Sequence, residues 1–215
     1  MTWFLGHIPD ILGYAVQHLY LAGVPLVLGL LIALPLGWLA RRYRWLYPPL
    51  LIGTGLLYTI PSLALFILLP GILGLGILDP LNVLVAMTVY TVALLVRTVA
   101  DGLGAVPESV SQAATAMGYR RVGRFFAVEL PLAIPVIAAG LRVAAVSNVS
   151  IVSVAALIGV AQLGSLFTDG FSRNFYDPIL VGLIACVLLA LALDGLIVVV
   201  AKLLTPWQRA RRSHG

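Results

Sequence analysis

Residues 112–131 read QAATAMGYRRVGRFFAVELP, a polar and basic interlude in a chain that is otherwise strongly apolar. Of 215 residues, 61% are hydrophobic and 10% charged, far from the roughly half and quarter of a soluble domain. That balance fits an all-α polytopic membrane protein. On either side of the interlude, five stretches are apolar and long enough to cross about 30 Å of hydrocarbon: 19–40, 49–69, 81–100, 130–150 and 178–201. The uncharged stretch 151–168 leaves open a sixth crossing or a short re-entrant helix. The interlude therefore falls between the third and fourth spans.

The basic residues fix an orientation, because Lys and Arg concentrate in loops that stay in the cytoplasm. Arg41, Arg42 and Arg44 follow the first span, Arg97, Arg120, Arg121 and Arg124 end or follow the third, and Lys202, Arg209, Arg211 and Arg212 follow the fifth. The opposite loops hold Arg173 alone, beside Asp10, Asp79, Asp169 and Asp177. With five spans the N-terminus lies outside and the C-terminus inside. The net charge of +5 is then a topology signal and does not by itself suggest a nucleic-acid partner. No Lys or Arg precedes Arg41, so the first span is not read as a cleavable signal peptide. Residues 1–18 combine Trp3, Phe4 and Tyr14 with His7, Asp10 and His18 and suit an interfacial segment; 19–201 form the transmembrane domain and 202–215 a basic cytoplasmic tail.

Missing chemistry removes several function classes. Lys202 is the only lysine, which excludes a GxxxxGK[ST] phosphate loop. His7, His18 and His214 lie near the chain ends and Cys186 is the sole cysteine, so neither an intrachain disulfide nor a Cys/His metal cluster is expected. No GxSxG elbow occurs, and an enzyme is not expected.

Within the interlude, Pro107 and Glu108 suit a first helical turn, where proline loses no needed donor and glutamate faces the positive helix end. A helix over about 107–117 gathers Ala113, Ala114 and Met117 on one face that another protein can approach closely. Gly118 permits a turn, a second basic helix carries Arg120 and Arg121, and Leu130-Pro131 marks entry into the fourth span. Residues 107–124 read as a cytoplasmic docking knob of two short helices.

Gln112-Ala113-Ala114, Gly118, Val128 and Leu130-Pro131 resemble, at every spacing, the cytoplasmic motif of ABC importer permeases of the methionine-importer-like fold. That motif runs EAA, three residues, Gly, nine residues, Ile-x-Leu-Pro; Gln112 stands for the family Glu and Val128 for Ile. TIPSLALFILLPGILGLGIL (59–78), LLVRTVADGL (94–103) and LPLAIPVIAAGLRVAAV (130–146) are similar to the osmoprotectant subfamily, which handles glycine betaine, choline and carnitine. AALIGVAQLGSLF (155–167) is similar too, with Ala161 and Gln162 where that subfamily tends to have glycines.

The resemblance implies a permease subunit of a binding-protein-dependent importer in a bacterial cytoplasmic (inner) membrane. Its expected partners are ABC ATPase subunits that grip the knob, a periplasmic or lipid-anchored substrate-binding protein, and a second copy or a similar permease. ATP and Mg would be bound by the ATPase, with no cofactor in this chain. An amino-acid permease of the same fold is the nearest alternative and a secondary carrier a more distant one. Polar and kink-forming residues inside apolar spans are costly unless they face the bundle or water. Tyr58, Pro61, Ser62, Tyr90 and Asn148 are on that ground candidates for the substrate pathway, with Asn82, Ser147 and Ser150 behind them. Arg142 lies inside the fourth span, with Arg97 and Asp194 as candidate partners.

Overall fold

The computed structural model describes residues 2–207, which form helices and connecting turns with no strand among them. The short α1 (Thr2–Gly6) leads into α2 (Ile8–Arg42), whose helix continues without a break through residue 18 into the first span. After α3 (Tyr47–Thr59) and α4 (Ser62–Leu73) come α5 (Pro80–Gly104) and the small α6 (Glu108–Ala116). Then α7 (Arg121–Arg124), a π-helical turn (Phe125–Glu129), α8 (Leu130–Ser153) and a 3-10 turn (Val154–Ile158) follow end to end. α9 (Ser165–Ser172) and α10 (Tyr176–Leu204) close the described chain. Arg209, Arg211, Arg212 and His214 of the basic tail lie outside the described residues.

α5 is the central helix, packed by α2, α8, α3 and α4. Helices in lipid gain little from hydrophobic burial against one another, so close backbone approach through small residues matters most. α2 meets this need with Ala22, Gly29, Ala33, Gly37 and Ala40, all buried. A Cβ on Gly37 would fall 2.6 Å from Val99 Cγ1 and 3.0 Å from the Ala100 nitrogen. α8 repeats the device, since a Cβ on Gly140 would collide with the Thr98 side chain of α5. α10 by contrast shows Leu180, Leu183, Leu188, Leu191 and Val199 on its surface, an apolar face suited to hydrocarbon.

Four helical stretches are long and apolar enough to cross a membrane: Ile8–Arg42, Pro80–Gly104, Arg121–Ile158 and Tyr176–Leu204. The stretch expected as a straight second span, 49–69, is instead α3 and α4 meeting at 100°. Pro61 is the cause: it offers no donor and disfavours helical geometry at Ile60, which is extended at ψ 128°. The pair still runs from one end of the bundle to the other. Tyr47 OH donates to Asp101 Oδ1 at 2.8 Å near the end of α5, and the Gly76 carbonyl beyond α4 accepts from Asn82 Nδ2 at 2.7 Å near its start. Five passes result.

The sixth crossing is not formed. Over 151–168 the chain completes α8, makes the 3-10 turn, reverses at Gly159 (φ +86°) and enters α9, whose 8 residues are too short to span. The fourth span also begins earlier than Leu130: helix runs continuously from Arg121, and the second knob helix is the first turn of this 38-residue rod. The π turn explains how Pro131 is accommodated, since the Leu130 amide reaches back to the Phe125 carbonyl and the ladder is already shifted by one residue.

Candidate functional site

At one end of the bundle, Pro107 is extended (ψ 135°) and caps α6, which starts at Glu108 with its carboxylate in the first turn. The helix closes with a Schellman pattern. Gly118 N–H donates to the Thr115 carbonyl at 3.0 Å and Tyr119 N–H to the Ala114 carbonyl at 3.1 Å. Gly118 takes φ +88°, a conformation that costs a side chain about 1 kcal/mol or more, although nothing crowds the space around it. The sequence expected the turn, and this backbone is why glycine serves it.

The face of α6 differs from expectation at one residue. Ala113 and Met117 are exposed, Met117 at 71%, whereas Ala114 is 1% exposed and turned inward. With about 100° between successive residues, Ala113 and Met117 share the outer face and Ala114 seats the helix on the bundle. Gln112 is exposed and reaches Glu108 one turn back at 3.4 Å. Arg120 and Arg121 are exposed, and neither forms an ion pair among the described residues. Leu130 and Pro131 are half-buried within the rod.

A clamp between α6 and the rod was not read from the sequence. Arg124 Nε donates to Glu129 Oε1 at 2.7 Å and its Nη1 to Thr115 Oγ1 at 2.8 Å, while Ser111 Oγ lies 3.4 Å from the same glutamate oxygen. Residues five apart diverge on an α-helix, but the wider π turn brings Arg124 and Glu129 toward one side. The only signal was the presence of both residues in the quoted stretch. Around the clamp lies a cavity of about 790 Å³ whose lining includes Arg41, Arg42, Arg44 and Arg121 beside Glu108 and Gln112. Trp38 forms part of its floor, edge-on to Phe125 at 6.0 Å.

The pathway candidates divide into two groups. Tyr58, Pro61, Ser62 and Tyr90 meet at the α3–α4 break, where Tyr90 OH donates to the Ile60 carbonyl freed by the bend and the two tyrosine rings sit edge to face at 5.8 Å. Asn148 is elsewhere, wholly buried, donating to the Ala22 carbonyl at 3.1 Å and to Thr91 Oγ1 at 2.9 Å. Its polar atoms join α2, α5 and α8 and face no open path. Of the candidate partners of Arg142, Asp194 is the real one, in a two-pronged contact of 2.6 and 2.9 Å between α8 and α10. Arg97 lies 3.6 Å from Asp101 instead.

The sequence profile described as "Binding-protein-dependent transport system inner membrane component" matches residues 26–209. The chain is 36% identical over 193 residues to the osmoprotectant import permease protein OsmW of Salmonella typhimurium, covering 88% of this chain and 89% of the relative. It is 29% identical over 192 residues to the glycine betaine/carnitine/choline transport system permease protein OpuCB of Bacillus subtilis, covering 88% and 86%. Its fold matches that of an inward-facing MetNI methionine ABC transporter with a TM-score of 0.80 over 93% of this chain and 98% of that one, at 19% identity.

Proposed function

The chain belongs to the inner membrane components of binding-protein-dependent transport systems and is a permease subunit of an ABC importer; we propose that its cargo is a quaternary-ammonium osmoprotectant such as glycine betaine, choline or carnitine. The observation that carries the cargo assignment is the likeness, over almost nine tenths of the chain, to one permease named for osmoprotectants and another named for glycine betaine, carnitine and choline. Tyr58, exposed beside the α3–α4 break, supplies compatible chemistry, because an aromatic face attracts a quaternary ammonium group by about 0.5–2 kcal/mol. In this reading the path runs beside Tyr58, Pro61, Ser62 and Tyr90, where the helix is interrupted at the α3–α4 break.

Residues 107–124 form the docking surface for the ATPase, in this reading. Ala113 and Met117 present a small and an adaptable apolar side chain, and Gln112, Gly118, Arg120 and Arg121 surround them on the exposed surface. The Arg124–Thr115 and Ser111–Glu129 contacts then pass the motion of α6 into the rod. ATP and Mg belong to the ATPase, a binding protein delivers cargo to the opposite end, and a second permease, either a copy or a relative, completes the path. The arginine-rich end of the bundle faces the cytoplasm, so α2 starts outside and α10 ends inside.

Reconstitution of the permease with its ATPase and binding protein in proteoliposomes tests both parts. ATP-driven uptake of glycine betaine, choline or carnitine is expected, with methionine inert. Uptake of methionine alone would overturn the cargo assignment, and failure of any ATPase to associate would overturn the docking surface.

A further inference from the structure

The end of the bundle opposite the docking segment contains a buried side-chain network built around His18 and Gln162. His18 of α2 is fully buried, with Nδ1 2.9 Å from Gln162 Oε1 and Nε2 2.9 Å from the Val149 carbonyl of α8. Gln162 is also fully buried and lies in the turn between Gly159 and α9. Its amide is held from two other sides: Oε1 accepts from the Gly164 N–H, and Nε2 donates to the Ser153 carbonyl at 3.2 Å. Turning the amide over would set oxygen against the Ser153 carbonyl and NH2 against the Gly164 N–H. Gln162 therefore presents oxygen to the histidine, and Nδ1 carries the hydrogen. The Val149 carbonyl faces Nε2, which donates only when the ring is protonated on both nitrogens.

This geometry gives the two ring nitrogens different work. The Nδ1 contact ties α2 to the 159–164 turn across 144 residues of sequence. Nε2 only faces the Val149 carbonyl of α8, and the link between α2 and α8 is made by Asn148 through Ala22. The turn also buries Val160 and Leu163 in apolar clusters, and Gly164 sits so close to the Ser153 carbonyl that no side chain fits there; His18 adds a side-chain hydrogen bond from α2. The turn lies at the far end of the rod that begins in the docking segment.

We propose that His18 is a positioning residue for transport, with Nδ1–H holding Gln162 and thereby keeping the 159–164 turn seated on α2 and the end of α8. A turn so placed closes the bundle at the end opposite the docking segment. Its release is then a step that movement of the rod can trigger. The inference rests on the family's transport function and on neither the cargo assignment nor the docking surface.

The test exploits side-chain shape, because an asparagine amide overlays Nδ1 of histidine and a glutamine amide overlays Nε2. His18→Asn keeps the donor to Gln162 and loses the Val149 contact; His18→Gln does the reverse. The reporter is Leu163→Cys in a Cys186→Ser background, a position with no exposure in the closed turn, alkylated by maleimide in membranes containing the intact transporter. His18→Gln should raise the alkylation rate roughly tenfold, the scale set by losing one buried hydrogen bond, and His18→Asn should leave it near that of the parent. Gln162→Met, made beside an unaltered His18, should raise the rate as His18→Gln does. This keeps the test open if a histidine variant fails to fold. Uptake should follow the same order. Equal rates in His18→Asn and His18→Gln, the reverse order, or a Gln162→Met rate equal to the parent would overturn the proposal.

Discussion

At the Arg121 end of the rod, Arg124 and Glu129 are paired at 2.7 Å and partly open to water, with side-chain exposures of 27% and 16%. At the Ile158 end, Asn148, His18 and Gln162 are wholly buried, and backbone carbonyls accept from the Asn148 and Gln162 amides. Near water a charged pair is cheap to expose and can be gripped by a partner, and it contributes modestly to stability. Inside the bundle an unpaired amide has no water to fall back on, so each side chain is committed to one place. The first arrangement suits a surface that must engage and move. The second holds its elements in one relation until movement of the rod releases the turn.

The difference can be broken first where helices approach most closely. Gly37→Val drives methyl groups into Val99 and the backbone at Ala100 and should cost about 3 kcal/mol or more, seen as loss of monodisperse protein after solubilisation. Asn148→Ala leaves the Ala22 carbonyl and Thr91 with one contact fewer and should lower stability by about 1–2 kcal/mol, measured as a fall in melting temperature. Gly118→Ala forces a side chain into φ +88° at about 1 kcal/mol. That loss should stay local and appear as faster amide exchange at Tyr119, whose N–H bonds to Ala114. Arg120→Ala, on the exposed surface, should shift stability by less than about 0.5 kcal/mol while weakening retention of the ATPase in pull-down. Destabilisation by Arg120→Ala as large as that by Asn148→Ala would erase the contrast between the two ends.

The exposed end was legible in the sequence because its signals are local. Charge in an apolar chain, the Ala113-Ala114 pair, Gly118 and Leu130-Pro131 all lie within twenty residues of one another, and α6 appears within one residue of its expected bounds. The inward turn of Ala114 was missed because small size alone suits either face. Hydropathy located the passes, yet it sums residues without direction and so could not show that Pro61 breaks the second one through 100°. The buried end was illegible for a different reason. His18 and Gln162 are 144 residues apart, and an isolated histidine near the N-terminus carries no mark of its partner. Asn148 was singled out correctly as a costly polar residue, but cost alone does not distinguish a helix tie from a pathway.

The most direct test of the docking claim places a photo-reactive benzoylphenylalanine at Met117, and separately at Ala161 at the other end, in the assembled transporter. Both positions are exposed in the permease alone, so reactivity reports what covers each one. A cross-link from position 117 to the ATP-hydrolysing subunit is expected, and none from position 161. A cross-link to that subunit from 161, or its absence from 117 in a transporter that hydrolyses ATP, would contradict the docking claim.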